Sequence, residues 1–150
     1  MSTHLAVIRQ PKVSLVALTP EACEAMSAAS VEVTPLPYRV GRESRARGFE
    51  RIFSTEKRGP AAAPNNELYL RETAEQFNVS RLHFQIEWDG LGLALVDRGS
   101  TCGTIVEGQQ VGGQGQGGTV PLKDGDVIIV GTAFSPFVFK VRVEFDSQGS

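Results

Sequence analysis

Apolar and polar positions alternate with period two along much of the chain. The clearest case is the segment after Pro136, where Phe137, Phe139, Val141, Val143 and Phe145 alternate with Val138, Lys140, Arg142 and Glu144. Such alternation places one face of a strand on a core and the other toward water. Residues 84–88 (Phe-Gln-Ile-Glu-Trp) repeat the pattern, and 91–96 and 127–130 are more uniformly apolar, as buried strands are. Shorter strand signals lie at 13–18, 38–40, 68–70 and 104–106, with a further candidate near 49–53. Residues 21–30 have the composition of a short helical turn. Thr34-Pro-Leu-Pro37 is extended, because each proline restricts itself and its predecessor. Residues 107–118 hold six glycines and read as a loop, and Lys123-Asp-Gly-Asp126 reads as a tight turn. Many short strands, frequent turns and no long amphipathic helix predict an all-β antiparallel sandwich or barrel with loops at one end free to carry a site.

One stretch stands out within this pattern. Asp89-Gly90 is a two-residue hairpin signal between the runs 84–88 and 91–96. A hairpin closed there brings its two outer ends together. Those ends are the hydroxyl-bearing turns 80–83 and 100–104, so their hydroxyl groups converge on a space suited to a small anion. Ser80, Thr101 and Arg42 form the candidate constellation. A phosphate monoester offers three acceptor oxygens and about −1.5 to −2 charge. A guanidinium can grip it bidentately, while hydroxyls and turn N–H groups supply the remaining donors.

Composition narrows the function classes. The chain has 150 residues, 41% of them hydrophobic, and a net charge of −2. It has the size of a single domain with an ordinary core and no global basic field for nucleic acid or an acidic membrane. Positive charge is concentrated locally: residues 39–58 carry a net charge of +4. Cys23 and Cys102 make no disulfide framework, and no apolar run approaches the ~18 residues of a membrane-spanning helix. A cytoplasmic location is expected, with no membrane or nucleic-acid partner. His4, His83 and the two cysteines have no metal-ligand spacing, so neither a metal nor a cofactor is expected. The glycine pattern at 113–118 matches a dinucleotide fingerprint in letters only, because Pro121 follows where a helix must start. Cys102 and His83 as a nucleophile–base pair lack a third orienting group, so no catalytic residue and no enzyme activity are expected.

Four ordered blocks resemble the forkhead-associated (FHA) domain. They are Gly41-Arg42, then Ser80-Arg81-Leu82-His83, then Ser100-Thr101-Cys102-Gly103-Thr104, and then Leu122-Lys-Asp-Gly-Asp126 with Val127-Ile-Ile-Val-Gly131. The resemblance implies an eleven-strand β-sandwich over residues 13–145, with enlarged loops at 20–37 and 43–66; the weakly patterned residues 1–12 read as an N-terminal extension, and 146–150, closing on Gln148-Gly149-Ser150, as a disordered tail. It implies a non-catalytic module that binds a phosphothreonine-containing protein or peptide after an upstream Ser/Thr kinase has acted. On the matching positions Arg42 and Ser80 would hold the phosphate, Thr101 would complete its cage and Arg81 would border the peptide. Gly41, His83 and Gly103 would support the loops. Cys102 stands where the family usually has an asparagine whose carboxamide contacts the peptide main chain. A thiol cannot reproduce an amide's paired bonds, which motivates an alternative: a scaffold or assembly module that binds its partner independently of phosphate.

Overall fold

The computed structural model describes residues 10–43, 66–72 and 78–145. The strand expected near 49–53, the tail at 146–150 and most of the basic stretch lie outside these residues. The described chain forms β1 (Lys12–Ala17), α1 (Pro20–Met26), β2 (Ser30–Glu32), β3 (Tyr38–Arg42), β4 (Leu68–Leu70) and β5 (Phe84–Trp88). It continues through β6 (Leu93–Asp97), β7 (Thr104–Val106), β8 (Gln109–Val111), β9 (Gly118–Leu122), β10 (Val127–Val130) and β11 (Val138–Glu144). Two sheets result, in the orders β2-β1-β11-β10-β7-β8 and β4-β3-β5-β6-β9. Every pairing is antiparallel except β3 with β4, which run parallel.

The alternating side chains meet between the sheets. Leu15, Ile128, Val130, Phe139 and Val141 from the first sheet pack against Val40, Leu70, Phe84, Ile86 and Leu95 from the second, all fully buried. The β11 alternation holds through Val141, but Phe145, expected on the core face, is 65% exposed. In β10 only Ile128 and Val130 are buried, so that strand is half-buried rather than enclosed on both faces.

Three local expectations change. The helix ends at Met26, because Ser27 takes a left-handed conformation (φ 57°) and its N–H turns back to helix carbonyls, which frees Ser30–Glu32 to pair with β1. The Thr19 hydroxyl caps the helix start, accepting from the Ala22 N–H at 3.2 Å. The glycine-rich segment 107–118 is not all loop. Val106 pairs with Gln109 and Thr104 with Val111, so β8 lies inside it. Gly118–Leu122 then pairs along β6 at the edge of the second sheet, where Pro121 is tolerated.

The hairpin between β5 and β6 is longer than two residues. Trp88 pairs with Leu93, which leaves four residues in the turn, and Asp89 Oδ1 accepts from the Leu91 and Gly92 N–H groups at 2.8 and 2.9 Å. At the other end Phe84 pairs with Asp97, so the outer ends of the hairpin lie side by side.

Candidate functional site

The register of β5 on β6 brings segments 78–83 and 97–104 together at one end of the sandwich, and hydrogen bonds lock them. The Thr101 N–H donates to Ser80 Oγ at 3.0 Å, joining the two turns directly. A serine hydroxyl has one donor hydrogen and two lone pairs, so accepting this bond leaves its hydrogen able to donate elsewhere. Ser80 is half-buried and Thr101 is exposed.

His83 lies behind this contact and is fully buried. Its Nδ1 accepts from the Ser80 N–H at 2.9 Å, and its Nε2 lies 2.7 Å from the Gly103 carbonyl oxygen. Accepting at Nδ1 requires that nitrogen to be unprotonated, so Nε2 carries the hydrogen and donates it to Gly103. The ring therefore ties one turn to the other in its neutral form. Burial pushes its pKa below the ordinary histidine value, although the Gly103 carbonyl, Asp97 at 4.0 Å and Glu72 pull the other way.

Asp97 organises the second turn. Its Oδ1 accepts from the Gly99 and Ser100 N–H groups at 3.0 and 2.8 Å, and its Oδ2 accepts from the Ser100 and Thr104 hydroxyls at 2.7 and 2.8 Å. Ser100 Oγ in turn accepts from the Gly103 N–H at 2.9 Å. Asp97, Ser100 and Thr104 are all buried. Gly103 has φ +85°, a conformation that side chains disfavour, and this lets the chain reverse into β7. Cys102 is half-buried within the same turn.

Arg42 ends β3 beside segment 78–80. Its N–H donates to the Ser80 carbonyl at 2.9 Å, and Nη1 of its half-buried side chain lies 3.3 Å from the Val79 carbonyl oxygen. Gly41 is required by close approach, since a methyl group there would stand 1.9 Å from the Arg81 carbonyl oxygen. That same carbonyl accepts from Asn66 Nδ2 at 2.9 Å. Arg81 projects outward and is exposed at the rim. Glu72 receives the Asn78 and Val79 N–H groups at 2.6 and 3.0 Å, fixing the approach to Ser80.

The structure thus gathers Gly41, Arg42, Ser80, Arg81, His83, Thr101, Cys102 and Gly103 around two joined turns. Sequence reasoning did not single out Asp97, Ser100, Thr104, Glu72 or Asn66 as their supports. Asp97 directly follows the apolar run 91–96, and its four hydrogen bonds arise only once the turn closes. Among the described residues no group of three or more His, Cys, Asp or Glu side chains is placed to hold a metal, and no helix is long and apolar enough to cross a membrane.

The sequence model of the FHA domain matches residues 38–131, more than half of the chain and all four motif blocks. The chain belongs to the FHA domain family. FHA domains are interaction modules known for binding phosphopeptides. Solved FHA structures share the fold. The kinase-interacting FHA domain of the Arabidopsis kinase-associated protein phosphatase is 24% identical, with 92% of this chain and 98% of that one covered and a TM-score of 0.57. Mycobacterium tuberculosis EmbR, solved with a low-affinity phosphopeptide, is 18% identical; 92% of this chain matches 26% of that longer one, with a TM-score of 0.56. A structure described in terms of phosphothreonine-dependent FHA domain interactions is 23% identical over 87% of this chain and 95% of its own, with a TM-score of 0.53. No curated protein matches the chain by sequence.

Proposed function

We propose that this FHA domain is a non-catalytic reader of phosphothreonine in a protein partner, which it recruits after a Ser/Thr kinase has acted in the cytoplasm. The observation that carries the reading is the Thr101 N–H to Ser80 Oγ bond, which sets two turns edge to edge with Arg42 alongside. In this reading the Arg42 guanidinium and the Ser80 hydroxyl hold the phosphate, and Thr101 closes the cage from the other turn. Arg81 borders the peptide, and Cys102 faces its main chain. Charge-assisted bonds dominate such a contact, so affinity falls as salt rises. The solved relatives described with a phosphopeptide and with phosphothreonine-dependent interactions support the assignment of ligand class.

Calorimetric titration with degenerate threonine-peptide libraries, phosphorylated and unphosphorylated, tests the reading. Binding of the phosphorylated library alone is expected; equal binding of both would overturn it. The thiol of Cys102 in the turn favours one second reading, a scaffold that holds its partner without phosphate. A partner complex that survives phosphatase treatment and Ser80→Ala would decide for that scaffold.

A further inference from the structure

A peptide whose phosphate rests against Arg42 and Ser80 lays its main chain across turn 100–104, and buried main-chain groups need partners. The backbone of that turn has few to offer. The Ser100 N–H is taken by Asp97 at 2.8 Å, and the Ser100 carbonyl by the Gly115 N–H at 3.0 Å. The Thr101 N–H is taken by Ser80 Oγ at 3.0 Å, and the Thr101 carbonyl by the Gln114 N–H at 2.7 Å. The Gly103 N–H is taken by Ser100 Oγ at 2.9 Å, and the Gly103 carbonyl by His83 at 2.7 Å. The Ser100, Thr101 and Gly103 N–H donors are thus engaged within the fold, so side chains beside the turn are needed to donate to a peptide carbonyl, and a cysteine thiol is a weak donor and a weak acceptor.

A carboxamide lies beside the same turn. Gln110, on β8, is exposed, and its side chain folds over Gly103: a methyl group on that glycine would stand 3.0 Å from Gln110 Nε2 and 3.4 Å from its Cγ. Nε2 spends one N–H on the Gly112 carbonyl at 3.1 Å. Among the described residues its second N–H and Oε1 have no partner, so one donor and one acceptor remain on a side chain anchored at its own strand end. A main-chain N–H and C=O can take such a pair.

We infer that Gln110 is a specificity-determining residue that hydrogen-bonds the main chain of the phosphopeptide beside Cys102, supplying the amide that position 102 lacks. The inference rests on the phosphothreonine reading. Gln110 acts on the peptide and not on the phosphate, which separates its effect from that of Arg42. Two probes make the separation visible: the phosphothreonine-peptide library and free O-phosphothreonine, which has no flanking peptide groups.

Gln110→Ala is expected to weaken the library about tenfold and to leave O-phosphothreonine unchanged, as loss of one or two net hydrogen bonds predicts. Gln110→Glu, which keeps the shape and an acceptor but loses the donor, is expected to weaken the library too. Cys102→Asn in the Gln110→Ala background is expected to restore library affinity, and to raise it less when Gln110 is present. An unchanged library affinity in Gln110→Ala, an equal fall for both probes, or a gain from Cys102→Asn that does not depend on residue 110 would each overturn the inference. None of these would touch the phosphothreonine reading, which fails instead if the wild-type chain binds phosphorylated and unphosphorylated libraries alike.

Discussion

The inner and outer sides of turn 97–104 are built from neighbouring residues under opposite rules. On the inner side one carboxylate, Asp97, accepts four hydrogen bonds, and His83 bridges to the facing turn from a fully buried position. On the outer side Thr101 and Arg81 are exposed, Arg42 and Ser80 are half-buried, and the Ser80 hydroxyl keeps a hydrogen to donate. Buried polar groups are costly when unpaired, so the inner side fixes the shape of the turn. Of the outer groups, the exposed Thr101 and Arg81 side chains contribute little to folding, while Ser80 and Arg42 also bond the neighbouring backbone. Stability and the proposed recognition are thus largely carried by different residues of this turn, although Ser100 and Thr101 are adjacent.

The largest effect is expected at Asp97. Asp97→Ala strands buried donors from Ser100 and Thr104, and a loss of about 4 kcal/mol of folding stability is expected. Urea denaturation measures it, and a loss under about 1 kcal/mol would show that the inner network does not hold the turn. Gly41→Ala comes next. A methyl group overlapping the Arg81 carbonyl forces β3 away from segment 80–82, with an expected loss of about 3 kcal/mol. A variant as stable as the wild type would mean that the close approach is not maintained in solution.

The smallest effect is a dependence of stability on pH. The pKa of His83 in the folded chain is lowered by burial, so the unfolded chain binds the proton more readily. The stability it contributes is complete above about 6.5, the ordinary histidine value, and falls as the pH drops below it toward the lowered folded value. Protonation would also break the Ser80 N–H to Nδ1 bond and place a charge in a buried site whose near carboxylates are Asp97 and Glu72. Nitrogen NMR of the ring should find Nδ1 unprotonated at neutral pH and the ring titrating below 6.5. A ring protonated at or above pH 6.5 would contradict the neutral bridge.

Much of this was legible in the sequence, for reasons particular residues make plain. Phe84, Ile86 and Trp88 announced β5 because a core face repeats every second residue. Asp89-Gly90 announced the reversal that brings 80–83 to 100–104, although the turn proved to have four residues. The extent of α1 was hidden because a left-handed Ser27 is decided by packing and not by helix propensity. β8 and β9 were hidden by glycines that lower strand propensity while allowing close backbone approach. Charge and hydroxyl content marked Arg42, Ser80 and Thr101. Nothing marked Gln110, and the supporting role of Asp97 was hidden, because their partners, N–H groups and carbonyls of a closed turn, belong to the fold and not to side-chain identity.

The most direct test of separable sides is Arg42→Ala, read by two measurements on one sample: calorimetric titration with the phosphothreonine-peptide library, and urea denaturation. Affinity is expected to fall about a hundredfold while stability changes by less than about 1 kcal/mol. Unchanged affinity, or a loss of stability as large as the loss of binding energy, would contradict the account.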